Sequence, residues 1–282
     1  MFRLTLFFGL LAFAACSKPG SVSSPFAERP MRIVSLDFCA DQYVLKLADR
    51  EQILAVSPDA VRDFSYMREE AASVPTVRAI AEDVLILKPD LVVRSYGGGP
   101  NAAQFFERAG VPVLQVGWTS AVHGAGPNTI PQITREVAAG LGQTERGEAL
   151  IEEFQTRLEA IKNEASGKST LYITPSGTTT GGNSLAHEMM LAAGLSNFTK
   201  TPGWHSVPLE QLAYERPDLV AAAYFNAKTN HEHAWSASRH PMAKRELSEN
   251  ERVDLDGAWL SCGGWFMIEA IEALAEGAKR DD

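Results

Sequence analysis

Three cysteines in 282 residues are too few for a disulfide-rich scaffold. Positive charge is also the scarcer sign: 26 Lys and Arg stand against 35 Asp and Glu, for a net −9. That balance excludes the basic footprint of a non-specific binder of nucleic acid or of an anionic membrane surface. After the first fifteen residues, no apolar run approaches the ~20 residues needed to cross a bilayer. Catalytic signatures are missing as well. The chain has no G-x-x-x-x-G-K-[ST] and no G-x-S-x-G. Gly97, Gly98 and Gly99 follow an apolar run, but they do not make a G-x-G-x-x-G fingerprint and read as a plain loop. No nucleophile stands beside an evident base, so neither enzyme chemistry nor a cofactor is expected.

What is present begins with a targeting segment. Arg3 precedes an apolar run at 4–11, closed by Ala12-Phe13-Ala14-Ala15-Cys16. This reads as a secretory signal peptide over 1–15. Two processing routes fit. Cleavage after Ala-x-Ala releases a free periplasmic protein. Cleavage before Cys16 leaves that thiol for a lipid, and LAFAAC looks like a lipobox with Phe13 where Leu is usual. Cys16 is therefore the lipidation candidate, and a lipid there is the one expected link to the membrane. Residues 16–30, rich in Ser and Pro, read as a tether.

The rest is organised around 128–165. A short helix there breaks at Gly140 and Gly142, and a long helix starts near Thr144. Leu150, Phe154, Leu158, Ile161 and Ala165 lie three or four apart and make one apolar stripe. Matching segments flank this pair: AEDVLILKPDLVV from Ala81 and LEQLAYERPDLVA from Leu209. Both carry Glu and, seven residues on, Pro-Asp-Leu-Val; 210 − 82 and 217 − 89 both equal 128. The spacing predicts two similar lobes joined by a rigid strut, with a first lobe at 31–127, a linking helix at 128–166 and a second lobe at 167–282.

Strands and helices alternate in both halves. Strands are predicted at 32–36, 53–57, 91–96, 111–116, 169–174, 218–224 and 252–256. Helices are predicted at 41–49, 82–88, 102–109, 185–193, 209–215, 241–247 and 265–276, and 175–184 reads as a loop. This grammar predicts α/β lobes, each with a mainly parallel sheet flanked by helices. Ligands of such sheets sit beyond the carboxyl ends of the strands. The strand-end candidates are Asp37, Phe38, Cys39, Tyr96 and Trp118 in the first half. In the second half they are Trp204, His205, Tyr224, Trp259 and Trp265. A cleft lined by so many aromatics suits a bulky, partly apolar ligand. Cys39 and Cys262 fall in loops of opposite halves. In an oxidising compartment they read either as a disulfide or as two free thiols beside the ligand. His231, Glu232, His233 and His240 could gather a divalent ion or simply stand in a solvated loop.

At these residues the chain resembles the periplasmic substrate-binding proteins for cobalamin and ferric siderophores, which serve ABC importers. The resemblance covers 32–274. It rests on RIVSL and its loop, AEDVLILKPDLVV, the central helix, SVPLEQLAYERPDLV, RHPMAKREL and WLSCGGWFMIEAIEAL. It implies two Rossmann-like lobes joined by one long helix, in a non-enzymatic monomer of the periplasm. It implies that Glu82 and Glu210 dock into arginine pockets on a permease dimer, and that Trp204 lines the cleft. The implied ligand is an iron–siderophore or a corrinoid. Anionic siderophores call for several cations, whereas the strand-end loops offer mainly Arg94 and Arg239, which favours a neutral or weakly charged ligand. A zinc or manganese binding protein of an ABC importer, and a secreted α/β enzyme, are the alternatives.

Overall fold

The computed structural model describes residues 29–124, 126–162, 166–225 and 235–279. The signal peptide, Cys16, most of the tether and the His231-Glu232-His233 run lie outside the described residues.

The first half runs β1 (Ile33–Ser35), α1 (Phe38–Leu47), β2 (Ile53–Ala55), α2 (Arg68–Ala71), α3 (Ala81–Ile86), β3 (Leu91–Arg94), α4 (Ala102–Arg108) and β4 (Val113–Gln115). Its four strands form one parallel sheet in the order β2-β1-β3-β4. Two helices follow, α5 (Ile130–Gly140) and α6 (Thr144–Lys162). The second half runs β5 (Ser169–Ile173), β6 (Thr178–Thr180), α7 (Leu185–Ala192), β7 (Ser196–Asn197), β8 (Trp204–Ser206), β9 (Leu219–Ala223), α8 (Pro241–Glu249), β10 (Arg252–Leu255), α9 (Gly257–Leu260) and α10 (Ile268–Gly277). Its main sheet is also parallel, in the order β10-β9-β5-β7.

Both sheets are buried on both faces, which is why their strands read as continuous apolar runs. The period of two sorts the side chains. Val34, Leu36 and Val92 join Val84 and Phe106 in an outer core of the first lobe. Leu171, Ile173, Val220 and Ala222 join Val207 and Leu212 in the matching outer core of the second. The alternate residues, Ile33, Leu91 and Val93 in one sheet and Tyr172, Leu219 and Ala221 in the other, share one inner core with the linking helices. Leu150, Phe154, Leu158 and Ile161 are buried in it, as their spacing predicts.

The linker is a helical pair. Packing puts α5 with the first lobe, against α1 and β4, and α6 with the second, against α7 and α10. Gly142 ends the first helix in the left-handed region, at φ +68°, where a side chain would be strained.

The internal repeat is structural. The Asp90 carboxylate accepts the backbone N–H groups of Met31 and Arg32 at 2.8 and 2.9 Å. Asp218 accepts that of Ser169 at 2.7 Å. Each Asp thus fastens the strand it begins to the first strand of its own lobe, and β3 pairs β1 as β9 pairs β5.

Two expectations fail locally. Residues 209–215 are not an α-helix but a single 3-10 turn at Gln211–Ala213. Arg216, preceding Pro217, is pushed out of the helical region, so the segment stops before a regular helix is built. The 175–184 loop contains β6, which forms an antiparallel ribbon with β8.

Candidate ligand-binding site

The carboxyl edges of the two main sheets meet at a joint. Cys39, at the start of α1, is disulfide-bonded to Cys262, beyond β10, with Cα atoms 5.6 Å apart. The reading of two free thiols is thereby excluded. Thr119, beyond β4, donates its hydroxyl to the Gly263 carbonyl at 2.9 Å. Tyr66 donates to the Glu269 carboxylate at 3.3 Å. Trp265 is buried here, edge-on to Tyr66 and Phe266 with the Lys46 ammonium 4.7 Å from its ring centroid. Its ring therefore packs the joint and is not a free wall for ligand. Trp259 is half-buried and lines a separate hollow with Tyr66, Arg68 and Asp256.

On the first-lobe edge, Asp37 is fully engaged by backbone. One carboxylate oxygen caps α1 through the Ala40 N–H at 3.0 Å. The other accepts the N–H groups of Ser95, Tyr96 and Gly97 at 2.8, 3.0 and 2.8 Å. This clamp ties the β1 loop to the β3 loop and aims their aromatics. Phe38 packs edge-on against Phe64 at 4.8 Å and Tyr96 at 6.1 Å. The Tyr96 phenol is held above its ordinary pKa by burial, then by the negative charge of Asp37, so it is a neutral hydroxyl. Arg94, expected as a pocket cation, is buried and bonds the carbonyls of Gly97 and Gly99 at 2.8 and 3.0 Å. Trp118 stands out from the β4 loop, 68% exposed.

On the second-lobe edge, Trp204 sits on β8, 58% exposed, with its ring edge-on to Tyr172 at 5.8 Å. His205 follows on the opposite face of the ribbon. Its Nδ1 donates to the Ser206 carbonyl at 2.9 Å, and the enclosed Nε2 has no hydrogen-bond partner among the described residues. Tyr224 ends β9 at φ +66°, a strained conformation for an aromatic residue. Its phenol is raised above its ordinary pKa by burial. His240 is used locally: its Nδ1 caps α8 through the Met242 N–H at 3.2 Å.

The structure therefore brings Phe38, Tyr96 and Trp118 to one edge, and Trp204, His205 and Tyr224 to the other. Phe64, in the loop before α2, is a member that sequence reading missed. Its only signal is aromatic character in an otherwise charged loop.

Comparison with known proteins supports the fold. No curated protein matches. The periplasmic heme-binding protein of a Roseiflexus species is 21% identical, with 88% of this chain and 99% of that one covered and a TM-score of 0.65. A possible iron-binding periplasmic protein of Staphylococcus epidermidis is 17% identical over 90% and 100%, with a TM-score of 0.70. The periplasmic vitamin B12 binding protein of Vibrio cholerae is 19% identical over 89% and 97%, with a TM-score of 0.62. These likenesses carry the fold of two parallel four-stranded sheets. The family model described as periplasmic binding protein matches residues 33–233, and the chain belongs to that family of non-enzymatic, extracytoplasmic transport components.

Proposed function

We propose that this protein captures a bulky, neutral or weakly charged metal chelate, a corrinoid or a ferric hydroxamate siderophore, and delivers it to an ABC importer. The carrying observation is the placement of exposed aromatic rings at the carboxyl edges of both sheets: Tyr96 and Trp118 on one, Trp204 on the other. Large rings left in water at facing strand ends supply apolar contact area at low entropic cost. Phe38 and Tyr224 complete the walls; His205, on the ribbon face opposite Trp204 and with its Nε2 enclosed, is left out of them. Arg94 spends its donors on its own loop, so the first lobe offers little to an anion. Glu82 and Glu210 are assigned to docking on the permease dimer, and Cys16 to a lipid anchor.

Tryptophan fluorescence tests the ligand class. Cyanocobalamin or ferrioxamine should quench the emission with one-to-one stoichiometry, and native mass spectrometry of protein from the periplasm should show the same chelate. Tight stoichiometric zinc or manganese with no response to any chelate would overturn the reading in favour of a bare metal ion.

A further inference from the structure

The repeat holds more than its two glutamates. Four residues after Glu82 comes Ile86, and four residues after Glu210 comes Tyr214. Ile86 is 77% exposed and Tyr214 is 91% exposed, which places them among the most exposed large apolar side chains of the described residues. A single apolar side chain in water needs no explanation. Two at the same register of a duplicated unit do, because the rest of that register is held to a rule. Val84 and Leu212 match and are both fully buried. Asp90 and Asp218 match and do the same strand-fastening work. The positions kept apolar inside are apolar for packing; Ile86 and Tyr214 are apolar where packing gains nothing.

Their neighbours define the partner. Glu82 and Glu210 are exposed, and among the described residues neither side chain makes a hydrogen bond or ion pair. Each lobe therefore presents an unpaired carboxylate with an apolar knob one turn away. The glutamate end of each unit lies toward the carboxyl edge of its sheet, and the knob stands one turn nearer the amino edge, where Leu87 and Lys88 bond Arg32 ahead of β1. Ala81 shares a hollow with Gly98, in the loop beyond β3. The segment leading to Glu210 is tied to the β5 turn by the Val207 N–H on the Gly177 carbonyl at 2.9 Å.

We infer that Ile86 and Tyr214 are docking knobs for a two-fold pair of permease subunits, each of which presents an apolar hollow beside a cation. The inference rests on the transport reading above and deepens it. One unit displayed twice requires a partner site displayed twice, and a two-fold dimer is the simplest object that has one. Carboxylate and cation set orientation and encounter rate, whereas a desolvated apolar contact sets how long the complex lasts. Aliphatic Ile and aromatic Tyr share only apolar bulk, so the hollow selects bulk and not shape.

The test is competition for the permease in native membranes. Wild-type protein carrying a photocrosslinking residue at position 83 is competed with unlabelled protein. Unlabelled Ile86→Ala/Tyr214→Ala should need about 10–100-fold more protein than wild type to suppress capture of the membrane subunit. Its thermal midpoint and its quenching by the chelate should be unchanged, since both side chains stand in solvent. Photocrosslinkers at 86 and 214 should capture the same subunit, and one at exposed Leu191, outside the repeat, should not. If Ile86→Ala/Tyr214→Ala competes like wild type while Glu82→Ala/Glu210→Ala does not, the knobs are overturned and the transport reading stands. If wild type captures no permease subunit at all, the transport reading falls and the inference with it.

Discussion

The first strands of the two sheets, β1 and β5, hold the same place in their lobes and end differently. After β1 comes Asp37, a buried carboxylate that accepts four backbone N–H groups. After β5 comes Thr174, a half-buried hydroxyl that bonds Ser176 and Thr178 in a row of hydroxyls reaching the surface. One lobe edge is held by a single buried carboxylate and the other by a run of hydroxyls. What the two lobes kept in common is the unit at the outer edge, with its Glu and its Pro-Asp. What they let diverge is the strand ends, where a ligand is read. On the transport reading proposed above, the repeated unit would serve a two-fold partner and the divergent strand ends a cargo that is not.

The largest effect should come from removing the clamp. Asp37→Ala leaves four oriented N–H groups without their charged acceptor, and should cost about 3–5 kcal/mol. Thr174→Ala on the hydroxyl-lined edge should cost less than about 1 kcal/mol. Urea denaturation of both variants measures the contrast. Equal losses would mean that the edges are held alike.

A second asymmetry lies one turn further along α1. Asp41 is buried and bonded by the Ser57 hydroxyl at 2.6 Å; among the described residues, the second lobe has no matching buried carboxyl near β5. Burial outweighs the hydrogen bonds from Ser57 and lifts its pKa from 3.8 to about 7. In the unfolded chain the group ionises near its ordinary value, whereas the folded protein holds the proton until about pH 7. Stability should therefore fall as pH rises from about 4 to about 7 and level off above. Asp41→Asn should flatten that slope and stabilise the protein by about 1–3 kcal/mol at pH 8. Unfolding free energies at several pH values decide, and an unchanged slope would remove Asp41 as its source.

The comparison also shows what sequence could carry. Alternation, the 128-residue offset and the apolar stripe are local or periodic, so the two sheets and the helical linker were legible. The 209–215 turn was misread because Glu, Gln, Leu and Ala favour helix while Pro217 keeps Arg216 out of it. The β6–β8 ribbon joins residues more than twenty apart through threonines that look like loop. Arg94 and Asp37 carry charges that sequence assigns to a ligand, yet their partners are backbone groups that only folding brings near. Trp265 matches Trp204 in type and in its distance from a strand end, but it is buried because Tyr66 and Lys46 of the other lobe close over it. The disulfide stayed open for the same reason: 223 residues separate Cys39 from Cys262.

Ligand binding should draw on both edges despite their different construction. Trp118→Ala and Trp204→Ala should each weaken chelate binding by about 1–2 kcal/mol, with little loss of stability because both rings are exposed. A stiffer first edge would present a fixed wall, and a more yielding ribbon at Trp204 would adjust to the cargo. Comparing two chelates of different size therefore sharpens the contrast: Trp118→Ala should discriminate between them more than Trp204→Ala. Indistinguishable profiles would place both rings on equally rigid walls.

The smallest effect separates the two glutamates. Glu82 lies in the first turn of α3, where the helix dipole favours a carboxylate by about 0.3–1 kcal/mol. Glu210 precedes a single 3-10 turn, too short to sum such a dipole. If both were kept only for local stability, Glu82→Ala should lose a few tenths of a kcal/mol and Glu210→Ala nothing, and uptake should ignore both. If both dock on a two-fold permease, uptake should fall by similar factors in each, while ligand quenching stays normal. The stability difference and the uptake equality are thus opposite signatures of one repeat, and both can appear together. Normal uptake by the two single variants and by their combination would leave the dipole as the sole reason for Glu82, and would leave Glu210 with no role at all.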